Sequence, residues 1–136
     1  MVLWDTAGLE RTNSLGKAYF HEARAVLLVY SMKEESTAID LRHWAEEAQE
    51  KVNRSPLYFV IGTHSDKFDP AERSTMKQKL SRRLVDFKIE EYFEISNVNG
   101  KGFEECLKTI AQKILMEQEG VRNIPNPIQP NEKTCC

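Results

Sequence analysis

The feature that most constrains this sequence is the alternation of short apolar runs with stretches of helical periodicity. Four runs are rich in β-branched and aromatic residues, and they cover residues 2–4, 25–30, 57–61 and 92–95. Runs of this kind separated by helices are typical of α/β proteins with a parallel sheet. The middle two runs are apolar on both faces, which predicts strands that are covered by helices on each side.

Three segments between and after these runs have helical spacing. The first covers residues 37–53, and its apolar stripe consists of Leu41, Trp44, Ala45, Ala48 and Val52. The second begins at Asp69-Pro70-Ala71-Glu72, which combines an N-cap Asp, a Pro at the first helical position and a capping-box Glu. The apolar positions later in this helix predict its buried face: Met76, Leu80, Leu84 and Phe87.

A third helix is predicted over residues 102–119, followed by a change in composition. Its buried stripe comprises Phe103, Cys106, Leu107, Ile110 and Ile114, so Cys106 is better interpreted as a small core residue than as a reactive thiol. Residues 120–136 contain three prolines and no periodicity. We therefore predict one folded domain over residues 1–119 and an extended tail over residues 120–136.

Composition excludes several classes of function. The chain has 136 residues, with 19 Lys and Arg against 21 Asp and Glu, and this balance argues against a general nucleic-acid binder. No apolar run reaches the roughly 18–20 residues of a membrane span, and the N-terminus lacks the features of a signal peptide. The three cysteines form neither a disulfide framework nor a zinc motif, which indicates a reducing compartment.

The first candidate site lies directly after the first apolar run, at Trp4-Asp5-Thr6-Ala7-Gly8. A carboxylate at the end of a strand, followed by a small residue and Gly, lets the backbone approach a phosphate–metal centre closely. A plain strand-to-loop turn explains the same residues equally well when they are considered alone.

In its longer context, this segment resembles one protein family. The run from Trp4 to Arg11, Trp-Asp-Thr-Ala-Gly-Leu-Glu-Arg, resembles the third strand and switch II of Rab-type small GTPases, and the segment Tyr19-Phe20-His21-Glu22-Ala23 resembles the next stretch of those proteins. The resemblance implies a partial P-loop NTPase-type fold with three layers and a mostly parallel sheet. It also implies GTP or GDP with Mg²⁺ as cofactors, with Asp5 on the magnesium-water side and Gly8 on the γ-phosphate side.

The same resemblance implies a guanine site. Thr63-His64-Ser65-Asp66 stands where the family has Asn-Lys-x-Asp, so Thr63 and His64 depart from the motif and Asp66 matches it. A carboxylate at this position accepts two hydrogen bonds from guanine and rejects adenine. Ser96 matches the family's Glu-Thr-Ser-Ala-Lys loop, and Asn97 contributes a backbone N–H there. The alternative for Asp66 is a solvated loop carboxylate beside Lys67.

Two departures from the family bear on catalysis. Leu9 occupies the position of the Gln that orients the attacking water, so we expect very slow hydrolysis and no intact catalytic residue. The sequence contains no Gly-x-x-x-x-Gly-Lys-Ser/Thr loop: its only Gly-Lys pairs are Gly16-Lys17 and Gly100-Lys101, and neither fits. Relative to the family, the first two strands and the first helix are missing, and we expect Met1 to be an internal methionine of a longer parent.

The chain ends in Cys135-Cys136, which resembles the doubly geranylgeranylated end of Rab proteins. Two incidental thiols are the alternative. The partners implied by the resemblance are the escort and prenylation machinery, a GDP-dissociation inhibitor and effectors, and no nucleic acid. The implied location is the cytoplasmic face of endomembranes, where the protein is lipid-anchored, with a cytosolic pool. We expect a Rab-like GTPase of vesicle trafficking with impaired hydrolysis. The alternative is a prenylated pseudo-GTPase interaction module, or a non-functional truncated product, that binds no nucleotide.

Overall fold

A computed structural model of the chain describes residues 2–5, 23–52 and 54–122. Within these residues there are three strands, β1 (Ala25–Ser31), β2 (Leu57–Thr63) and β3 (Ile89–Glu94). The α-helices among them are α1 (Glu35–Lys51), α2 (Pro70–Arg83) and α3 (Phe103–Arg122). A short 3-10 helix, Ser65–Lys67, lies just after β2.

The three strands form a parallel sheet in the order β1-β2-β3. Seven consecutive pairs join β1 to β2, from Ala25 opposite Leu57 to Ser31 opposite Thr63. The pairing of β2 with β3 is interrupted by a bulge between Tyr58 and Phe59. Because all three strands run in the same direction, their carboxyl ends lie at one edge of the sheet.

Helices cover both faces of this sheet, which confirms the predicted three-layer α/β class. Helices α1 and α2 pack on one face, where the buried residues include Leu28, Tyr30, Val60, Leu41 and Leu80. Helix α3 packs on the other face, where the buried residues are Phe59, Ile61, Ile95, Cys106 and Ile110. None of the helices among the described residues has the length and apolar character needed to cross a bilayer.

The start of α2 has the capping box that the sequence predicts. Oδ1 of Asp69 accepts a hydrogen bond of 2.8 Å from the backbone N–H of Glu72, and Oε2 of Glu72 accepts one of 2.9 Å from the backbone N–H of Asp69. Pro70 is the first helical residue. Two N–H groups at the helix start are thereby satisfied, and the predicted residues Leu80, Leu84 and Phe87 are buried.

The prediction of a strand over residues 2–4 is wrong. These residues are not in the sheet, and Val2, Leu3 and Trp4 are 75%, 56% and 64% exposed. The physical reason is that no described strand pairs with this segment, so an extended conformation gains no ladder hydrogen bonds there.

Smaller differences concern side chains and boundaries. Trp44 and Phe103, both predicted to be buried, are 45% and 50% exposed, and Phe103 is the first residue of α3. Strand β3 begins at Ile89, before the predicted residue 92, and ends before Ile95; α1 begins at Glu35, and α3 continues to Arg122. The predicted tail beyond residue 122 lies outside the described residues.

Candidate functional site

The candidate site lies at the carboxyl ends of the three parallel strands. Ser31 is the last residue of β1, Thr63 is the last residue of β2, and Ser96 lies two positions after the last residue of β3. Open parallel α/β sheets bind ligands beyond this edge, because the loops there carry polar groups on a rigid support. Four of the residues predicted from sequence, Thr63, His64, Asp66 and Ser96, meet at this edge.

The shortest contact in the cluster joins Ser96 to Asp66. The Ser96 side chain is fully buried, and its hydroxyl donates a hydrogen bond of 2.6 Å to Oδ1 of Asp66. Nζ of Lys67 lies 3.5 Å from Oδ2 of the same carboxylate. The hydrogen bond from Ser96, with a further contribution from Lys67, lowers the pKa of Asp66 below its ordinary value of 3.8. Asp66 is therefore an ionised hydrogen-bond acceptor whose position is fixed by Ser96.

Backbone hydrogen bonds fix the two loops that carry this pair. Ile95 donates to the carbonyl of Gly62 at 2.8 Å, and Ser65 donates back to the carbonyl of Ile95 at 3.1 Å. The backbone N–H of Ser96 donates to the carbonyl of Lys101 at 3.0 Å, and Gly100 donates to the carbonyl of Ser96 at 2.9 Å. Asp66 and Ser96 are consequently positioned by the main chain and not only by each other.

Gly102 makes the turn after Ser96 possible. Its φ is +78°, a conformation that favours Gly, and a Cβ at this position would collide with the backbone carbonyl of Glu94. The loop can therefore return closely against the end of β3 only with Gly at residue 102. This close return places the Lys101 carbonyl where it accepts from Ser96.

His64 is held at the end of β2 by two hydroxyls. Its backbone is left-handed, with φ of 64° and ψ of 28°. Nδ1 lies 3.1 Å from Oγ1 of Thr63 and 3.2 Å from Oγ of Ser31. The Thr63 hydroxyl donates to the carbonyl of Tyr30 at 3.1 Å. Because the Thr63 hydroxyl hydrogen is used in that bond, the Thr63 oxygen acts as an acceptor toward His64. On this network we assign the tautomer of His64 in which Nδ1 carries the hydrogen.

Sequence reasoning missed Ser31. A single Ser at the end of an apolar run carries no motif of its own. The signal is the register: Ser31 pairs with Thr63 across the sheet, which brings its hydroxyl beside the residue after Thr63. Register depends on pairing between distant segments, and the sequence pattern alone does not specify it.

Of the other predicted residues, Asn97 and Asp5 do not join this cluster. Asn97 lies next to Ser96 in an exposed turn. Asp5 is exposed in the segment outside the sheet, and in the described parts of the chain no hydrogen bond or ion pair connects it to Asp66. Gly8, Leu9 and the two cysteines at residues 135 and 136 lie outside the described residues. The described residues also contain no group of three or more His, Cys, Asp or Glu side chains arranged to hold a metal.

A cleft of about 160 Å³ lies next to the site, between α1 and α2. Its lining includes Tyr30, Met32, Met76 and Leu80, together with Ser31. His64, Asp66 and Ser96 do not line it. The polar cluster and the cleft are therefore separate features that share Ser31.

Comparison with known proteins identifies the family. The family model described as "Ras family" matches residues 1–116. The chain belongs to the Ras family. Its relatives place it in the Rab branch: it is 30% identical to the Ras-related protein Rab-8B of Dictyostelium discoideum, in an alignment that covers 100% of this chain and 68% of that protein.

Two other relatives of this Ras-family chain are matched over less of their length. It is 28% identical to the GTP-binding protein YPT53 of Saccharomyces cerevisiae, over 88% of this chain and 56% of that protein. It is 30% identical to the human Ras-related protein Rab-27B, over 88% of this chain and 54% of that protein. The chain thus spans about half the length of these two relatives.

Proposed function

We propose that this chain carries the guanine-recognition part of a Rab-like small GTPase of vesicle trafficking, and that hydrolysis by it is impaired. The single observation that carries the proposal is the hydrogen bond of 2.6 Å from Ser96 to Oδ1 of Asp66. It connects the two residues of this chain that match the family's guanine motifs. The relatives support the wider role through their names, Ras-related Rab proteins and a GTP-binding protein.

The chemistry of Asp66 suits guanine. An ionised carboxylate only accepts hydrogen bonds, and guanine presents two adjacent donors, N1–H and the 2-amino group, along one edge. Adenine offers an acceptor at N1, so a carboxylate opposite it would be left unpaired. His64 offers a flat ring, held through Nδ1, in place of the family's Lys, and Thr63 replaces the family's Asn.

The phosphate side of the proposal rests on sequence. We propose that Asp5 holds Mg²⁺ through a water molecule and that Gly8 contacts the γ-phosphate side. On the guanine side, we propose a backbone contact from Asn97, which also rests on sequence. When bound, Mg²⁺ supplies positive charge that neutralises the phosphates. The described residues do not by themselves form a metal centre. Leu9 has no hydrogen-bonding atom with which to orient a water molecule, which is the basis for impaired hydrolysis.

At its C-terminus, we propose that Cys135 and Cys136 receive geranylgeranyl groups. Two lipid chains anchor a protein stably, whereas one chain binds reversibly. The corresponding partners are the escort and prenylation machinery, a GDP-dissociation inhibitor and effectors. The corresponding location is the cytoplasmic face of endomembranes, with a cytosolic pool.

Titration of the full chain with fluorescent GDP, then displacement with GDP, ADP and xanthosine diphosphate, tests guanine recognition. We expect GDP to displace the probe and ADP to fail. Asp66→Asn replaces an acceptor by an amide that donates to the 2-oxo group of xanthine, so we expect a loss of GDP affinity of about tenfold or more and a gain for xanthosine diphosphate. Asp40→Asn, the same chemical change on the exposed side of α1, is the matched control and should alter neither.

The alternative function is a prenylated interaction module that binds no nucleotide, and the departures of Thr63 and His64 from the family's guanine motif favour it. One outcome is that the folded chain fails to bind fluorescent GDP at every concentration tested yet is prenylated in the presence of the escort machinery. That result would contradict guanine recognition and support the interaction module. If the chain shows no cooperative thermal unfolding, both functions are excluded in favour of a non-functional product.

A further inference from the structure

Ser31 is fixed in position by hydrogen bonds at both ends of its backbone. Its N–H donates to Oγ1 of Thr37 at 3.0 Å, and its carbonyl accepts from the N–H of Glu34 at 3.1 Å. Ser31 also forms the last pair between β1 and β2, with Thr63 as its partner. The Ser31 hydroxyl is therefore carried by a part of the main chain that is held on the strand side and on the helix side.

This hydroxyl connects β1 to the ring of His64. Oγ of Ser31 lies 3.2 Å from Nδ1 of His64, although the two residues are 33 positions apart. The second contact of the ring, with Oγ1 of Thr63 at 3.1 Å, comes from the preceding residue. These two are the polar contacts of the His64 ring among the described residues, and of the two only Ser31 relates the ring to another strand.

The two hydroxyls select one orientation of the ring. The torsion that turns a His ring about its Cβ–Cγ bond is broad and roughly two-fold, so it does not by itself decide on which side Nδ1 lies. Because Thr63 donates its hydroxyl hydrogen to the Tyr30 carbonyl, its oxygen accepts from Nδ1–H, and Ser31 offers a second oxygen to the same hydrogen. A ring turned by half a revolution would place a carbon there and would lose both contacts.

The backbone of His64 is also held in an unusual conformation. Its φ of 64° is the one positive value outside Gly in the part of the chain that the structure describes. Such a conformation is uncommon for a residue with a Cβ, persists where surrounding contacts hold it, and is frequent at ligand sites. Here it joins β2 to the 3-10 helix Ser65–Lys67, which carries Asp66.

We propose that Ser31 is a positioning residue of the guanine site, and that it holds the His64 ring in one orientation and one tautomer for stacking on the base. The inference rests on the proposed function, because it gives His64 the place of the family's Lys beside guanine. His64 lies two positions before Asp66, the proposed acceptor for the guanine edge. Aromatic rings stack on bases face to face, and a ring that is already oriented loses little further freedom on binding.

The tautomer of His64 in the nucleotide-free full chain tests the contact. Long-range ¹⁵N–¹H correlation spectra at mildly alkaline pH distinguish a hydrogen on Nδ1 from one on Nε2, and His64→Gln identifies the signals of this ring among the three histidines. We expect the Nδ1–H form in the unmodified chain and a larger share of the Nε2–H form in Ser31→Ala. Ser36→Ala, which removes a hydroxyl that donates to Glu34, should leave the spectrum unchanged.

A pair of variants with nearly the same shape covers the case in which Ser31→Ala fails to fold. Ser31→Thr keeps the hydroxyl and should keep the Nδ1–H form, whereas Ser31→Val replaces the hydroxyl by a methyl group and should reduce that form. Both side chains are β-branched, which suits the end of a strand. A purely structural role for Ser31 would give the same tautomer in the two variants. That result, or an unmodified chain in the Nε2–H form, would overturn the proposal.

Addition of GDP to the same labelled samples separates this inference from the proposed function. We expect the ring protons of His64 to shift upfield as the base stacks on the ring, and Ser31→Ala to weaken GDP binding about three- to tenfold. If GDP shifts no signal of the unmodified chain, the proposed function fails, and the guanine role of Ser31 fails with it. If GDP binds but the His64 protons do not move, or Ser31→Ala binds GDP as tightly as the unmodified chain, guanine recognition stands and the positioning role is wrong.

Discussion

Ser96 and Asp66, which are 30 positions apart in the sequence, are joined by a hydrogen bond of 2.6 Å from a fully buried hydroxyl to a carboxylate that remains partly accessible. The buried partner is fixed by main-chain contacts at both its N–H and its carbonyl. Ser96 therefore fixes the position of the carboxylate through Oδ1, while the second oxygen, Oδ2, lies near Lys67 and solvent.

Removing the hydroxyl should change the acidity of Asp66. We expect Ser96→Ala to raise the pKa of Asp66 toward its ordinary value of 3.8, because the hydrogen bond from Ser96 is the largest cause of the lowering. Carboxyl ¹³C chemical shifts recorded over a pH titration measure this directly. Ser81→Ala removes a hydroxyl that donates to the Gln78 carbonyl on α2, and it should leave the Asp66 titration unchanged.

The same pair contributes to stability in acid. Because the folded pKa of Asp66 lies below the unfolded value, its contribution is present above the unfolded pKa, near 3.8, and is lost as pH falls through the lower folded pKa. In that acid range, the free energy of unfolding of Ser96→Ala should fall less steeply with decreasing pH than that of the unmodified chain. Denaturant unfolding at a series of pH values tests this, and parallel curves would contradict it.

Gly102 and Gly100 provide a matched pair of substitutions. Both have positive φ, so Ala at either residue carries a backbone cost of about 1–2 kcal/mol. At Gly100 a Cβ meets nothing within 4 Å, whereas at Gly102 it collides with the Glu94 carbonyl. We expect Gly102→Ala to lower the free energy of unfolding clearly more than Gly100→Ala in equilibrium denaturation. Equal losses would mean that the close return of this loop does not occur.

The capping box of α2 should have a measurable effect. Asp69→Ala removes the acceptor for the Glu72 N–H and should lower the free energy of unfolding by about 1 kcal/mol. Thermal or urea unfolding provides the measurement. Asp40→Ala, on the exposed side of α1, makes the same chemical change without removing a cap and should have little effect.

Cys106 should be inert in the folded chain. It is buried against Ile110 and Phe59, and burial raises the pKa of its thiol to about 11. In a Cys135→Ser, Cys136→Ser chain, a thiol-reactive chromogenic disulfide at mildly alkaline pH should give no fast reaction until denaturant is added. Rapid labelling without denaturant would show that α3 does not stay packed on the sheet.

Local signals in the sequence predict much of this fold. The continuous apolar runs of β1 and β2 and the Asp69-Pro70-Ala71-Glu72 start of α2 depend on neighbouring residues alone, and the structure has both. Strand β3 is less clear, because Glu90 and Glu91 interrupt its apolar pattern. Those charges are tolerated because this is an edge strand and Lys113 pairs with them.

Features that depend on distant partners could not be predicted in the same way. An extended segment at residues 2–4 requires a neighbouring strand, and the described residues provide none. Asp66 and Ser96 were identified through family motifs, but their mutual hydrogen bond depends on the pairing of β2 with β3. Ser31 was missed because only the register with Thr63 brings it to His64.

The order of elements along the chain has a consequence for biosynthesis. Strand β2 pairs with β1, which is made before it, and β3 pairs with β2. Helix α1 follows β1 and α2 follows β2, so one half of the core can form while translation continues. Among the described elements, the opposite face, with Phe59 and Ile61, is covered by α3 alone, and α3 is the last described helix to leave the ribosome. A nascent chain that stalls before Cys106 and Ile110 emerge would present that face to chaperones.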